Sequence, residues 1–201
     1  TSNHLFPKML LKSSKKNLKI KNMKIIHNKL ILISSLIVFL FTNNVRSNES
    51  PQLLLILESG LVKIDTFPDK APKTVERIVE LANQGFYDGL TFHRVIKGFM
   101  AQGGDPLGNG TGGSGKNIKA EFNDIKHERG IVSMARARDP DSADSQFFIC
   151  YDSVPSLDGK YTVWGKVVEG MHLIDRIPPG KGQNGQVLTN PTKIITFRVQ
   201  K

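Results

Sequence analysis

From residue 53 onward the chain changes hydrophobic period every few residues, and that cadence points to a mainly β fold. Strand-like runs stand at Leu53–Glu58, Leu61–Phe67, Thr91–Ile96, Phe99–Gln102, Ile131–Ala135, Gln146–Cys150, Tyr161–Val167 and Lys193–Val199. Eight short runs, mostly 8–15 residues apart and divided by turn residues, predict an antiparallel barrel or sandwich. The first and last runs are candidates to pair and close it. Helical spacing is clearest at Ala71–Gln84, where Val75, Ile78, Val79 and Ala82 share a face, Pro72 suits the first turn and Gly85 the stop. A second, shorter helix is expected near Gly170–Ile177, ended by Pro178-Pro179. Residues 103–119 read as loop, with seven glycines between Gly103 and Gly115.

Ahead of this body the composition shifts. The 201 residues carry 28 Lys+Arg against 18 Asp+Glu, a formal charge of +10 that suggests nucleic acid or an anionic surface as partner. Nine of those basic residues lie in 1–47, which holds no acid, so 48–201 is left with a net of +1. Nucleic acid is therefore not an expected partner of the body. Residues 1–47 instead show a basic stretch from Met23 to Lys29, a twelve-residue apolar run Leu30–Phe41, and polar Thr42–Asn44 before Val45-Arg46-Ser47. That layout predicts a secretory signal peptide starting at Met23 and cleaved near Ser47. The apolar run is short of the ~18 residues of a membrane span, so membrane contact is expected only in transit, an uncleaved anchor being the alternative. The domain boundaries expected are thus 1–47 for the targeting segment and 48–201 for one domain. A single cysteine, Cys150, excludes a disulfide framework, and its apolar run predicts a buried, inert thiol.

Several motifs carry no chemistry of their own. Gly108–Gly113 matches G-x-G-x-x-G but lies among further glycines rather than between a strand and a helix. Asp139, Asp141 and Asp144 lack the central Gly and terminal Glu of a calcium loop and read as a solvated turn. His93, His127 and His172 lack zinc-site spacing, and no metal or cofactor is expected.

Four segments in order do carry a resemblance: Phe92–Asp105 (FHRVIKGFMAQGGD), Asn109–Gly113 (NGTGG), Ser145–Ile149 (SQFFI) and Leu157–Lys160 (LDGK). Over roughly residues 53–200 the chain resembles the cyclophilin-type peptidyl-prolyl cis-trans isomerases. The resemblance implies a closed eight-stranded antiparallel β-barrel capped by two α-helices. It also implies isomerase activity on X–Pro bonds without cofactor, and proline-containing peptides and unfolded clients as partners of a monomer. By position, Arg94 becomes the catalytic cation. Phe99, Met100, Phe148 and Leu157 become the apolar slot for the proline ring, and Gln102 a polar clamp. Ala135, the backbone of Arg136, Gln146 and Tyr161 complete the substrate-binding set. Alternation along Thr91–Ile96 places Phe92, Arg94 and Ile96 on one face.

Departures are informative. Eukaryotic members commonly have Trp where this chain has Ser156, His where it has Tyr161, and Ala-Asn-Ala where it has Ala135-Arg136-Ala137. Loss of the indole implies weak cyclosporin binding. The Met134–Arg138 pattern is closer to bacterial members, making the periplasm the expected destination.

Overall fold

The computed structural model describes residues 50–200, and Ser50–Lys201 forms one compact unit. The expected signal peptide lies outside the described residues. Strands β1 (Gln52–Leu57) and β2 (Gly60–Thr66) make the predicted hairpin, pairing from Gln52↔Asp65 to Leu57↔Gly60. Gly60 takes φ +137° at the turn, a region that only glycine enters freely. Helix α1 (Pro72–Asn83) follows, then β3 (Arg94–Ile96), β4 (Met100–Gly103), β5 (Ile131–Met134), β6 (Phe147–Cys150) and β7 (Val163–Glu169). The one-turn helix α2 (Met171–Ile174) and strand β8 (Ile194–Val199) complete the order.

All eight strands join one antiparallel sheet in the order β3-β4-β6-β5-β7-β2-β1-β8. The first and last strands do pair, Leu55 opposite Phe197, but this does not close the sheet because β8 is its edge. The expected closed barrel is thereby corrected to a curled, open half-barrel with two helices. The cause lies at β3. Its outer edge is taken by the 180–187 segment, through Val95 N–H to Gly185 O (2.7 Å), Gly180 N–H to Val95 O (2.9 Å) and Val187 N–H to His93 O (2.8 Å). Among the described residues β3 and β8 share no ladder; the stretch before β3 bonds instead to the segment entering β8, with Phe92 N–H to Thr192 O at 3.0 Å and Gly89 N–H to Ile194 O at 2.8 Å.

The main core buries Leu53, Leu55, Val62, Ile64, Val132, Ile149 and an aromatic cluster of Tyr87, Phe92, Phe147, Trp164 and Phe197. Phe147 meets Trp164 edge-on at 6.1 Å and Tyr87 at 5.7 Å, arrangements favoured by the ring quadrupoles. Helix α1 packs on β8 through Val75, Ile78, Leu81 and Ala82. No side chain of Ala71 caps its N-terminus; a distant carboxylate does. Glu121 accepts from Lys73 N–H (3.0 Å), Thr74 N–H (2.8 Å) and the Thr74 hydroxyl (2.7 Å).

Candidate active site

Alternation sorts the strands into two populations. In β4 and β6, Ala101, Phe147 and Ile149 point into the main core, whereas Met100, Phe148 and Cys150 form a second cluster on the opposite face. Cross-strand register then aligns Arg94 with Gln102, Gln102 with Phe148, and Phe148 with Ser133. One row across β3, β4, β6 and β5 thus carries a cation, an amide, an aromatic ring and a hydroxyl. Phe92 does not join it. It lies before β3 begins and is buried in the main core, so the expectation that Phe92 shares a face with Arg94 and Ile96 is corrected; Ile96 does pack on the second cluster.

Above this row a depression of about 100 Å³ is lined by Arg94, Phe99, Met100, Gln102, Ala135, Arg136, Phe148, Leu157 and Tyr161. That is the volume of roughly three waters, the scale of one small ring. The structure therefore gathers every sequence-predicted site residue around one slot except Gln146. Gln146 stands one step away, accepting from the Gln102 side-chain amide at 2.9 Å. It faces a neighbouring hollow of about 330 Å³ that shares Gln102, Ala135 and Arg136.

Arg94 is held at two corners of its guanidinium. Nε donates to the Asn184 carbonyl (2.9 Å) and Nη1 to the Gln102 side-chain oxygen (3.0 Å). Nη2 has no partner among the described residues and is left for the slot. Partial burial draws the Arg94 pKa below its ordinary value, which nearby Tyr161 opposes; a guanidinium keeps its charge under such shifts. The relay continues from Gln146, whose amide donates to the carbonyls of Gly110 (3.1 Å) and Gly112 (2.8 Å). The glycine loop is folded onto the Asp105 carboxylate, which accepts from the N–H groups of Leu107 (2.8 Å), Asn109 (3.0 Å) and Gly110 (2.5 Å). Burial works against that carboxylate's charge, but these N–H donors outweigh it and lower the pKa.

Beneath the slot sit residues to which the sequence reading gave no role. His127 stacks on Phe148 at 6.1 Å and meets Tyr161 edge-on at 6.5 Å. Its Nδ1 lies 3.1 Å from Asp158 and its Nε2 3.0 Å from the Ser133 hydroxyl. Burial lowers the His127 pKa, with Asp158 opposing, so the neutral ring is favoured. Serine, imidazole and carboxylate in line invite comparison with a hydrolase triad, but Ser133 is 0% exposed and cannot reach a substrate. The set supports the slot from below. The one available signal was Ser133 itself, a polar residue inside the apolar run Ile131–Ala135. Cys150 is buried as expected, and burial pushes its thiol up to about 12. The three aspartates at 139–144 are more than a solvated turn. Asp141 accepts from Ala120 N–H at 2.9 Å and Asp144 from Gly115 N–H at 2.9 Å, tying the 114–120 loop down.

A family model for the cyclophilin type peptidyl-prolyl cis-trans isomerases matches residues 53–199. A probable peptidyl-prolyl cis-trans isomerase of Brucella abortus (strain 2308) is 45% identical over 160 residues, covering 74% of this chain and 82% of the relative. Peptidyl-prolyl cis-trans isomerase B of Bacillus subtilis (strain 168) is 48% identical over 128 residues, covering 62% and 89%. Among solved structures, a Cryptosporidium parvum cyclophilin type isomerase crystallised in the presence of the dipeptide Ala-Pro superposes with TM-score 0.68. It is 32% identical, over 75% of this chain and 99% of that one. With the matched stretch running from β1 to the end of β8, and relatives near half identity along most of it, the chain belongs to the cyclophilin-type peptidyl-prolyl cis-trans isomerase family.

Proposed function

We propose that this isomerase turns X–Pro bonds of exported client proteins by electrostatic stabilisation of the twisted amide, with Arg94 as the catalytic residue. The amide's rotation barrier is ~18–20 kcal/mol, with uncatalysed exchange over tens to hundreds of seconds. Reaching about a millisecond requires roughly five decades, or ~7 kcal/mol. Twisting localises the nitrogen lone pair, and a fixed cationic donor beside that nitrogen favours the twisted state over either planar one. One preorganised donor supplies ~2.7–4 kcal/mol. The remainder falls to contacts along the flanking peptide, outside the proline slot, that fit the twisted form best. No covalent intermediate enters.

The observation that carries this reading is the Arg94–Gln102–Phe148 row. It sets a guanidinium with one free nitrogen against an apolar slot of proline size. In the proposed complex the proline ring enters among Phe99, Met100, Phe148 and Leu157, beside Ala135 and Tyr161. Gln102, backed by Gln146, holds the flanking peptide. The backbone N–H and C=O of Arg136 make no hydrogen bond among the described residues and suit an extended chain laid alongside. The protein acts as a monomer on unfolded or partly folded clients. Ser156 offers no indole, so cyclosporin binds weakly. A protease-coupled assay on a proline-containing tetrapeptide tests the activity: a rate well above buffer, poorly inhibited by cyclosporin, is expected. A rate equal to buffer contradicts it.

A further inference from the structure

We infer that the Arg136 side chain is a positioning residue that latches the Tyr161 wall of the proline slot. This rests on the slot being where proline binds, and it concerns the guanidinium rather than the Arg136 backbone. The guanidinium carbon stands 4.6 Å over the Tyr161 ring and 5.9 Å over that of Phe122, so the cation lies against two aromatic faces. All its nitrogens are engaged at the same time. Nε and Nη2 both donate to the Lys160 carbonyl, at 3.2 and 2.9 Å. Nη1 donates to the carbonyls of Ala137 (3.0 Å) and Arg138 (3.2 Å).

One side chain thereby joins three segments remote in sequence: the turn carrying Leu157 and Tyr161, the stretch following β5, and the loop bearing Phe122. The need for a latch follows from the local structure. Leu157–Lys160 is a turn outside any strand, closed by single bonds such as Lys160 N–H to Leu157 O at 3.0 Å. Tyr161 precedes β7, and no hydrogen bond of its hydroxyl exists among the described residues. Its ring is oriented by Phe148 edge-on at 5.8 Å, by His127, and by the cation on its face. A fork fixed on carbonyls is what lets a cation hold a ring face in place; a lysine ammonium has neither the plane nor the paired donors. Four of its five N–H groups are thus committed to backbone carbonyls, which fixes the Arg136 side chain against the ring instead of leaving it free to follow a substrate. Its effect reaches the reaction through Tyr161 and the slot's width.

The slot grips proline in ground and transition states alike, so loosening its wall weakens uniform binding. KM and kcat are measured for wild type, Arg136→Ala and Arg136→Lys, each also in Tyr161→Phe and Tyr161→Leu backgrounds. Arg136→Ala is expected to raise KM about fivefold with kcat changed by less than about twofold, and Arg136→Lys to raise KM about twofold. Tyr161→Phe keeps the ring face and preserves the Arg136 effect. Tyr161→Leu removes the face, and Arg136→Ala then adds less than about 1.5-fold. A wild-type KM in both Arg136 variants, a fall in kcat at constant KM, or an undiminished Arg136 effect beside Leu overturns the latch. Should Arg136→Ala fail to fold, Arg136→Lys and its coupling to Tyr161→Leu decide on the same criteria. Failure of the underlying site reading looks different: Arg94→Ala then keeps the wild-type rate whatever Arg136 does.

Discussion

At the scale of single residues, the site depends on side chains held from behind. Arg94 owes its orientation to a carbonyl at Asn184, 90 positions along the chain, and to Gln102 directly across the strand pair. The second support was legible once Arg94 and Gln102 were matched to a known motif; the first was not, because a backbone carbonyl leaves no mark in residue type. His127 shows the same limit, its role depending on a register that sets Ser133 opposite Phe148. Its titration makes a prediction. Burial lowers the folded-state pKa of both His127 and His93, so the unfolded chain binds protons first as pH falls. These residues cost no stability above their unfolded pKa of about 6.5, and stability declines as pH drops through that value. The urea midpoint is therefore expected to fall between pH 7.5 and 5.5, and to fall less steeply in His127→Gln. An identical slope in the variant contradicts this. The lowered carboxylates Asp88, Asp105 and Asp158 have the same sign but act in a lower window, near pH 4 and below.

At the scale of elements, period and punctuation located every strand and both helices to within a few residues. Strand β3, expected from Thr91, starts three residues later at Arg94, and α2, expected to run to Ile177, ends three residues earlier at Ile174. Thr91 makes isolated bridges to Asp105 and Lys193 rather than continuing the β3–β4 ladder, a choice set by long-range geometry. Helix α1 teaches the same lesson at its first turn. Pro72 announced the start, but the cap is Glu121, 47 residues from Thr74, and its carboxylate meets both the free N–H groups and the positive end of the helix dipole. Glu121→Ala is expected to lower stability by about 1 kcal/mol, read as a lower urea midpoint at constant m-value. Glu121→Gln should lose less, since one acceptor oxygen remains. No change in either variant contradicts the cap.

At the scale of the whole molecule, charge is a matter of addition along the sequence, whereas closure is not. With nine of the basic residues in 1–47, residues 48–201 are left with a net charge of +1. Closure could not be read from strand spacing, because it depends on whether the 180–187 segment or β8 takes the outer edge of β3. We further propose export to the periplasm, on the basic stretch and apolar run ahead of the body. Mass spectrometry of the secreted form should give a new N-terminus near residue 48, and an intact one held in membranes contradicts cleavage. In the proposed mechanism a guanidinium fixed beside an apolar slot drives the rotation. Its most direct test is kcat/KM for Arg94→Ala against wild type in the protease-coupled assay, with folding verified by denaturant titration. A fall of about 10²–10³-fold at unchanged fold is expected, and a rate equal to wild type would contradict it.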